Sequence, residues 1–210
     1  MRHFSSYGPI NTRKHYYAAR ENVIAEACSK LTGENPDDEG HYITVWAPRQ
    51  CGKTWVMQEA VKQIEKNGLY ETAIITMERA KEVTDEKEIL NILINKLSAA
   101  FEKKLPPIEK IGNLPELFTK EHFTKPVILV LDEFDALEEV FINRFASIFR
   151  DIFVGRTNQR DKSSFEKTCI LHGVALIGVR SVLGIENAKG SPFNVQRSMH
   201  IPNLTFDEVS

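Results

Sequence analysis

Three consecutive residues, Gly52, Lys53 and Thr54, have the types and the order needed to bind a triphosphate. They end the segment APRQCGKT, which matches the pattern G-x-x-x-x-G-K-S/T except at the first position, where Ala47 replaces glycine. In such a loop, backbone N–H groups at a helix N-terminus bind phosphate oxygens, the lysine neutralises the β and γ phosphates, and the hydroxyl ligates the bridging Mg²⁺. Taken alone, the tripeptide also fits a plain turn that begins an amphipathic helix. The other loop residues expected to line the nucleotide are Pro48, Arg49, Gln50 and Cys51.

A second group of candidate residues is the acidic pair Asp132 and Glu133, which directly follows the apolar run VILVL. Sheets of α/β proteins place their ligands at the carboxyl ends of such buried strands. We expect Asp132 to hold Mg²⁺ through a coordinated water, and Glu133 to orient or deprotonate the water that attacks the γ phosphate. Enough chain separates this pair from Lys53 for an intervening helix and strand. The two motifs are therefore predicted to converge across neighbouring strands.

Other polar residues receive different interpretations. Asp135 is predicted to cap the next helix, with Glu138 as its capping-box partner, rather than to take part in catalysis. The six histidines show no HxxxH or HExxH spacing, so no metal site is predicted for them. The sequence also has no NKxD triplet that would select guanine. Adenine is the expected base, with ATP as the nucleotide.

The elements that must position these residues follow from hydrophobic periodicity. An apolar run at residues 43–46 precedes the loop, and residues 54–64 carry apolar side chains at helical spacing, which predicts a strand, a loop and a helix. Asn67 and Gly68 are expected to end that helix, and Asp85 with Glu88 predicts the capped start of another. Further strands are predicted at residues 73–77, 127–131, 170–179 and 198–204, and a further helix at residues 137–155. Strands and helices that alternate in this way predict a parallel sheet with helices on both faces.

Composition narrows the class of protein. The 210 residues are 42% hydrophobic and 27% charged, the balance of one globular domain. The formal net charge of −2 gives no global cationic field of the kind that marks nucleic-acid binders, although it leaves room for a local basic patch. Three scattered cysteines without a CxxC pair predict neither a disulfide framework nor a zinc site. With no apolar stretch near the roughly 20 residues that cross a bilayer, a cytoplasmic protein without a membrane span is expected.

Several segments together resemble the prokaryotic AAA-like ATPases, commonly placed with the STAND signal-transduction ATPases of the AAA+ class. The segments that carry the resemblance are YGPI, APRQCGKT, LVLDEFDAL, ALIGVRSV, SPFN and IPNLTFDEV. The resemblance implies a three-layer P-loop NTPase fold, with a five-stranded parallel sheet in the order 5-1-4-3-2 and a helical lid. It implies a lead-in segment and helix at residues 1–40, a core at 41–204, and the start of a truncated lid at 205–210. It also implies that Arg180 senses the γ phosphate, against the alternative of an ordinary surface arginine at a strand end.

Three functional hypotheses remain open at this stage. The first is a regulatory ATPase switch, in which Mg-dependent ATP binding and slow hydrolysis to ADP alternate two conformations that a protein partner or a fused effector domain reads. The second is an oligomeric motor or loader that acts on nucleic acid, for which Arg197 is a weak candidate for an arginine finger acting in trans. The third is a module that binds ATP without hydrolysing it. The intact Lys53, Thr54, Asp132 and Glu133 favour the first hypothesis over the third.

Overall fold

A sheet of five parallel strands runs through the centre of the chain, in the order β2-β3-β4-β1-β5. This computed structural model describes residues 3, 11, 13–34, 39–178 and 197–204. The observed order is the predicted 5-1-4-3-2 read from the opposite edge, so the predicted fold is confirmed. The strands are β1 Tyr42–Trp46, β2 Glu71–Thr76, β3 Val127–Asp132, β4 Leu171–Gly178 and β5 Arg197–His200.

Helices cover both faces of the sheet and complete the three layers. The helices of the described ranges are α1 Glu21–Thr32, α2 Lys53–Lys66, α3 Glu86–Ala100, α4 Leu114–Leu117 and α5 Glu139–Thr157. A hydrophobic core lies on each face of the sheet, and alternate residues of β3 contribute to one or the other. Ile128 and Val130 pack with α1 and α2, while Leu129 and Leu131 pack with α3 and α5. Both faces of this strand are buried, which explains its uninterrupted apolar run.

Two predicted helix boundaries are confirmed by their local geometry. The side chain of Asp85 accepts a hydrogen bond of 3.0 Å from the backbone amide of Glu88, so α3 begins with the predicted cap. At the end of α2, Asn67 is the C-cap and Gly68 has a φ of 66°. A glycine accepts this left-handed conformation at little cost, which is why the helix stops there.

The predicted cap role of Asp135 is wrong. Asp135 lies in a 3-10 turn, Phe134–Ala136, and α5 begins only at Glu139 with Glu138 as its N-cap. Glu133 precedes this turn with a φ of 52°, so the chain turns sharply after β3 and enters α5 several residues later than a cap at Asp135 requires. The same helix continues to Thr157, two residues beyond the predicted end at Gly155.

Helix α1 packs closely against the start of β4, and Gly173 makes this close packing possible. A Cβ added to Gly173 would lie 2.4 Å from the carbonyl oxygen of Leu31 in α1. We expect Gly173→Ala to lower the free energy of unfolding by about 2 kcal/mol or more, because a backbone atom must move. Gly155 of α5 has no described neighbour within 4 Å of such a Cβ, so the control Gly155→Ala should stabilise by roughly 0.5–1 kcal/mol. Urea unfolding of both variants measures the contrast, and equal midpoints would contradict it.

Some predictions fall outside the described residues. Arg180 and the predicted lid start at 205–210 are among them, as is most of the segment before residue 13. Within the described residues, no helix combines the length and the apolar character needed to cross a membrane.

Candidate functional site

The predicted phosphate loop joins the end of β1 to the start of α2. Gly52 is the N-cap of α2 and has a φ of 78°, and Gln50 also has a positive φ, of 64°. A side chain at Gly52 would meet no described atom within 4 Å, so glycine is needed there for its backbone conformation rather than for space. The N-terminus of a 14-residue helix therefore opens at the carboxyl end of the sheet. Backbone amides and the helix dipole both favour an anion at this place.

Lys53, the first residue of α2, folds its side chain back across the loop. Its ammonium group donates hydrogen bonds to the carbonyl oxygens of Ala47, at 3.0 Å, and Pro48, at 2.9 Å. These contacts hold the cation within the curve of the loop. Lys53 therefore already lies where a phosphate group bound by the loop would need a positive charge.

Thr54 and Asp132 bring the two motifs into direct contact. The hydroxyl of Thr54 donates a hydrogen bond of 2.6 Å to one carboxylate oxygen of Asp132, and the other oxygen accepts from the backbone amide of Glu133 at 2.9 Å. Because β4 lies between β1 and β3, the motifs meet across one intervening strand, not across directly neighbouring strands as predicted. A hydroxyl and a carboxylate this close supply the hard oxygen ligands that Mg²⁺ prefers. The residues present fit this ion.

Glu133 has the environment of a carboxylate with raised basicity. Partial burial of the carboxylate raises its pKa, the negative charges of Glu78, Asp132 and Asp135 raise it further, and Arg49 opposes the shift. The desolvation is only partial, because the residue as a whole remains exposed, and its backbone lies in the left-handed region. A carboxylate at this position and with this pKa direction suits a group that accepts a proton from water.

The other predicted site residues are distributed as follows. Arg49 is exposed and Cys51 is half-buried, both within the loop. Arg197 begins the edge strand β5 with an exposed side chain. Asp135 is not a helix cap, but its side chain packs against the end of β4. Its Cγ would lie 3.1 Å from a Cβ added to Gly178. The γ-phosphate sensor predicted at Arg180 lies two residues beyond that point, outside the described residues.

The structure also shows two residues at the loop that the sequence analysis missed. The guanidinium of Arg20 donates to the carbonyl oxygen of Cys51 at 3.1 Å, and the thiol of Cys51 donates to the side-chain oxygen of Asn203 at 3.2 Å. The partner of Arg20 is a backbone carbonyl, which exists at every position. No pattern of residue types could therefore have revealed this contact.

Sheet order, a phosphate loop between β1 and α2, and a carboxylate pair at the carboxyl end of β3 define a three-layer P-loop fold. No protein-family model and no curated protein matches the chain. Solved structures do match its fold. Cdc6p from Pyrobaculum aerophilum superposes with a TM-score of 0.61 at 15% identity, over 97% of this chain and 49% of the other.

Two proteins of Aeropyrum pernix give similar results. The ORC2 protein, in ADPNP–ADP complexes, has a TM-score of 0.58 at 16% identity, over 98% of this chain and 52% of that one. The ORC1 protein, in complex with DNA, has a TM-score of 0.55 at 12% identity, over 91% and 47% respectively. The chain therefore spans about half the length of these structures, and at such identities the likeness concerns the fold.

Proposed function

We propose that this chain is a P-loop ATPase domain that binds Mg-ATP and hydrolyses it to ADP, and that the cycle works as a regulatory conformational switch. The observation that carries the proposal is the 2.6 Å contact between Thr54 and Asp132. Two motifs far apart in sequence meet there with the groups that a Mg-triphosphate requires. The sequence resemblance to STAND ATPases supports the regulatory reading, with a protein partner or fused effector domain as the receiver of the signal.

Each residue has a defined task in this proposal. The amides of the loop from Pro48 to Gly52 bind phosphate oxygens, and Lys53 neutralises the β and γ phosphates. Bound Mg²⁺ would polarise the phosphates and neutralise the charge that develops during hydrolysis. Thr54 and Asp132 would hold that ion, and Glu133 would orient or deprotonate the attacking water. Arg180 is proposed to contact the γ phosphate.

A second candidate function is an ATPase that acts on nucleic acid. It gains support from the fold likeness to ORC1 solved in complex with DNA, and to Cdc6p. A DNA-linked function predicts that duplex DNA stimulates ATP hydrolysis and that binding weakens steeply as salt rises, because phosphate contacts release counterions. A switch read by a protein partner predicts a hydrolysis rate that is unchanged by DNA at low and at physiological salt. Oligomerisation fits both candidates.

The proposal predicts that Lys53→Ala loses Mg-ATP binding while the fold is retained. The contacts of Lys53 are two carbonyl oxygens of its own loop, so its removal takes away phosphate-binding charge and leaves the hydrophobic core intact. We expect the Kd for Mg-ATP, measured by calorimetry, to rise at least about tenfold.

Lys62→Ala is the matched control, since Lys62 lies on the same helix, its side chain is 62% exposed, and it pairs with half-buried Glu59 at 2.7 Å. This variant should bind Mg-ATP like the wild type. Equal affinity of wild type and Lys53→Ala, with both proteins folded by circular dichroism, would show that the loop is not a phosphate site.

A further inference from the structure

A buried arginine connects three separate parts of the chain beside the phosphate loop. Arg20 is 8% exposed and immediately precedes α1, whose amides at Val23 and Ile24 donate to its carbonyl oxygen at 3.0 and 3.1 Å. Its guanidinium donates from Nη1 to the carbonyl oxygen of Cys51 at 3.1 Å, and from Nη2 to that of Pro202 at 2.5 Å. One side chain thus joins the start of α1, the phosphate loop and the segment that follows β5.

That last segment, residues 201–204, is here named the exit segment. The amide of Ile201 donates to the carbonyl oxygen of Trp46 at 3.1 Å, so the segment continues alongside the end of β1. Asn203 then accepts the hydrogen bond from the thiol of Cys51 at 3.2 Å. The exit segment therefore contacts the phosphate loop twice, once directly and once through Arg20.

The bond from Arg20 to Cys51 acts on the peptide group that Cys51 shares with Gly52. A trans peptide is planar, and its C=O and N–H point in opposite directions. The described chain has no cis peptide bonds, so a carbonyl oxygen of Cys51 held by Arg20 fixes the Gly52 N–H toward the opposite side. Gly52 has a φ of 78° and no side chain of its own that could hold this peptide in place. The arginine supplies that restraint.

The side chain at position 20 must reach two carbonyl oxygens from different segments, those of Cys51 and Pro202. A guanidinium has several N–H donors in a fixed planar fork, whereas an ammonium is a compact point charge. Arginine also keeps its positive charge when buried, which strengthens both hydrogen bonds. Lysine could satisfy one of the two carbonyl oxygens, but it lacks the fork that joins them.

We infer that Arg20 is a positioning residue that pre-organises the phosphate loop and couples its conformation to the exit segment. Its consequence for nucleotide affinity rests on the proposed ATP site. A bound nucleotide would then find the Gly52 amide already oriented, and a displacement of the exit segment would loosen the loop. The chain that continues beyond residue 204 would have a direct mechanical connection to the site.

The test compares Arg20→Met, Arg20→Lys and the control Arg144→Met by amide hydrogen exchange without nucleotide and by Mg-ATP calorimetry. Arg144 pairs with Glu86 at 2.6 Å on the surface, so its replacement removes the same charge elsewhere. The reporters are the amides of Val56, bonded to the carbonyl oxygen of Gly52 at 2.9 Å, and of Ile201. In Arg20→Met both should exchange about tenfold faster, while amides of β3 and the control variant stay unchanged.

Mg-ATP affinity should fall about tenfold in Arg20→Met and by less in Arg20→Lys, which keeps one of the two bonds. Unchanged exchange at Val56 and Ile201, equal acceleration throughout β3, or wild-type exchange in Arg20→Lys would each overturn the inference. A wild-type chain that binds no nucleotide would refute the proposed function instead, and the exchange data would still decide whether Arg20 connects the two segments.

Discussion

Glu133→Gln is expected to bind Mg-ATP like the wild type and to lose at least about a hundredfold in kcat. The amide cannot accept the proton of the attacking water, whereas the contact between Thr54 and Asp132 at the metal position does not involve Glu133's side chain. Calorimetry for the Kd and a phosphate-release assay for kcat measure the two quantities separately. Glu139→Gln, an exposed change at the first residue of α5, is the matched control and should leave both values unaltered.

The pH profile supplies an independent readout of the same assignment. Burial and the neighbouring carboxylates raise the pKa of Glu133, so this residue gains its proton at a higher pH than an ordinary glutamate as the solution is acidified. The wild-type kcat/KM, which reports the pKa values of the free enzyme, should therefore decline on the acid side through that raised pKa, and Glu133→Gln should lack this limb. Wild-type turnover by Glu133→Gln, or an unchanged acid limb in that variant, would mean that another group activates the water.

The parts of the site that could be predicted from sequence are those formed by residues that follow one another directly in the chain. The phosphate loop and the acidic pair Asp132 and Glu133 each directly follow a single apolar run, so their placement at the carboxyl edge of the sheet follows from the order of residue types. Asp135 shows the limit of such patterns. The spacing to Glu138 matches a capping box, but the positive φ of Glu133 turns the chain before a helix can start. A pattern of residue types does not encode that dihedral angle.

Contacts between distant segments were beyond prediction for a related reason. Arg20 binds carbonyl oxygens that are 31 and 182 residues away in the chain. Arg156 and Glu39, which are 117 residues apart, form an ion pair that neither local sequence suggests. Such partners become neighbours only when the sheet order brings their segments together. Hydrophobic periodicity predicts the elements but not the polar contacts made between their ends.

The pair of Glu39 and Arg156 belongs to a buried polar cluster, which also includes Lys167, Ser164 and His172. Glu39 precedes β1, and its carboxylate accepts from Arg156 Nε at 2.9 Å and forms an ion pair with Lys167. The side chains of Arg156 and Lys167 are only 0% and 4% exposed. Burial lowers the pKa of Arg156, which is the expected cost of holding a cation away from water.

Hydrogen bonds extend the cluster from α5 to α1. Ser164 accepts from Arg156 Nη2 at 2.6 Å and contacts His172 Nδ1 at 2.6 Å, while His172 Nε2 lies 3.0 Å from the carbonyl oxygen of Thr32. Since a carbonyl oxygen only accepts, Nε2 carries the proton and Nδ1 accepts from the hydroxyl of Ser164. Burial lowers the pKa of His172 to about 4, so its ring is neutral at pH 7. Glu39 is the carboxylate that contacts both cations.

We expect Glu39→Gln to lower the free energy of unfolding by about 3 kcal/mol, because removing one partner leaves buried charge uncompensated. The total stability of a typical domain is about 5–15 kcal/mol, so this is a large share. Glu59→Gln is the matched control, since Glu59 pairs with a Lys62 side chain that is 62% exposed, and it should change stability by no more than about 0.5 kcal/mol. Urea unfolding at pH 7 should show a lower midpoint with an unchanged slope for Glu39→Gln.

The location of the cluster sharpens this test. Glu39 and Lys167 precede β1 and β4, so the cluster lies at the amino ends of the strands, whereas the phosphate loop and Asp132 lie at their carboxyl ends. Because the two sites lie at opposite ends of the strands, Glu39→Gln should keep the wild-type Kd for Mg-ATP under conditions in which it stays folded. Equal urea midpoints for Glu39→Gln and Glu59→Gln would show that the buried carboxylate adds no net stability. In that case the desolvation cost of the three charged groups would cancel their mutual attraction.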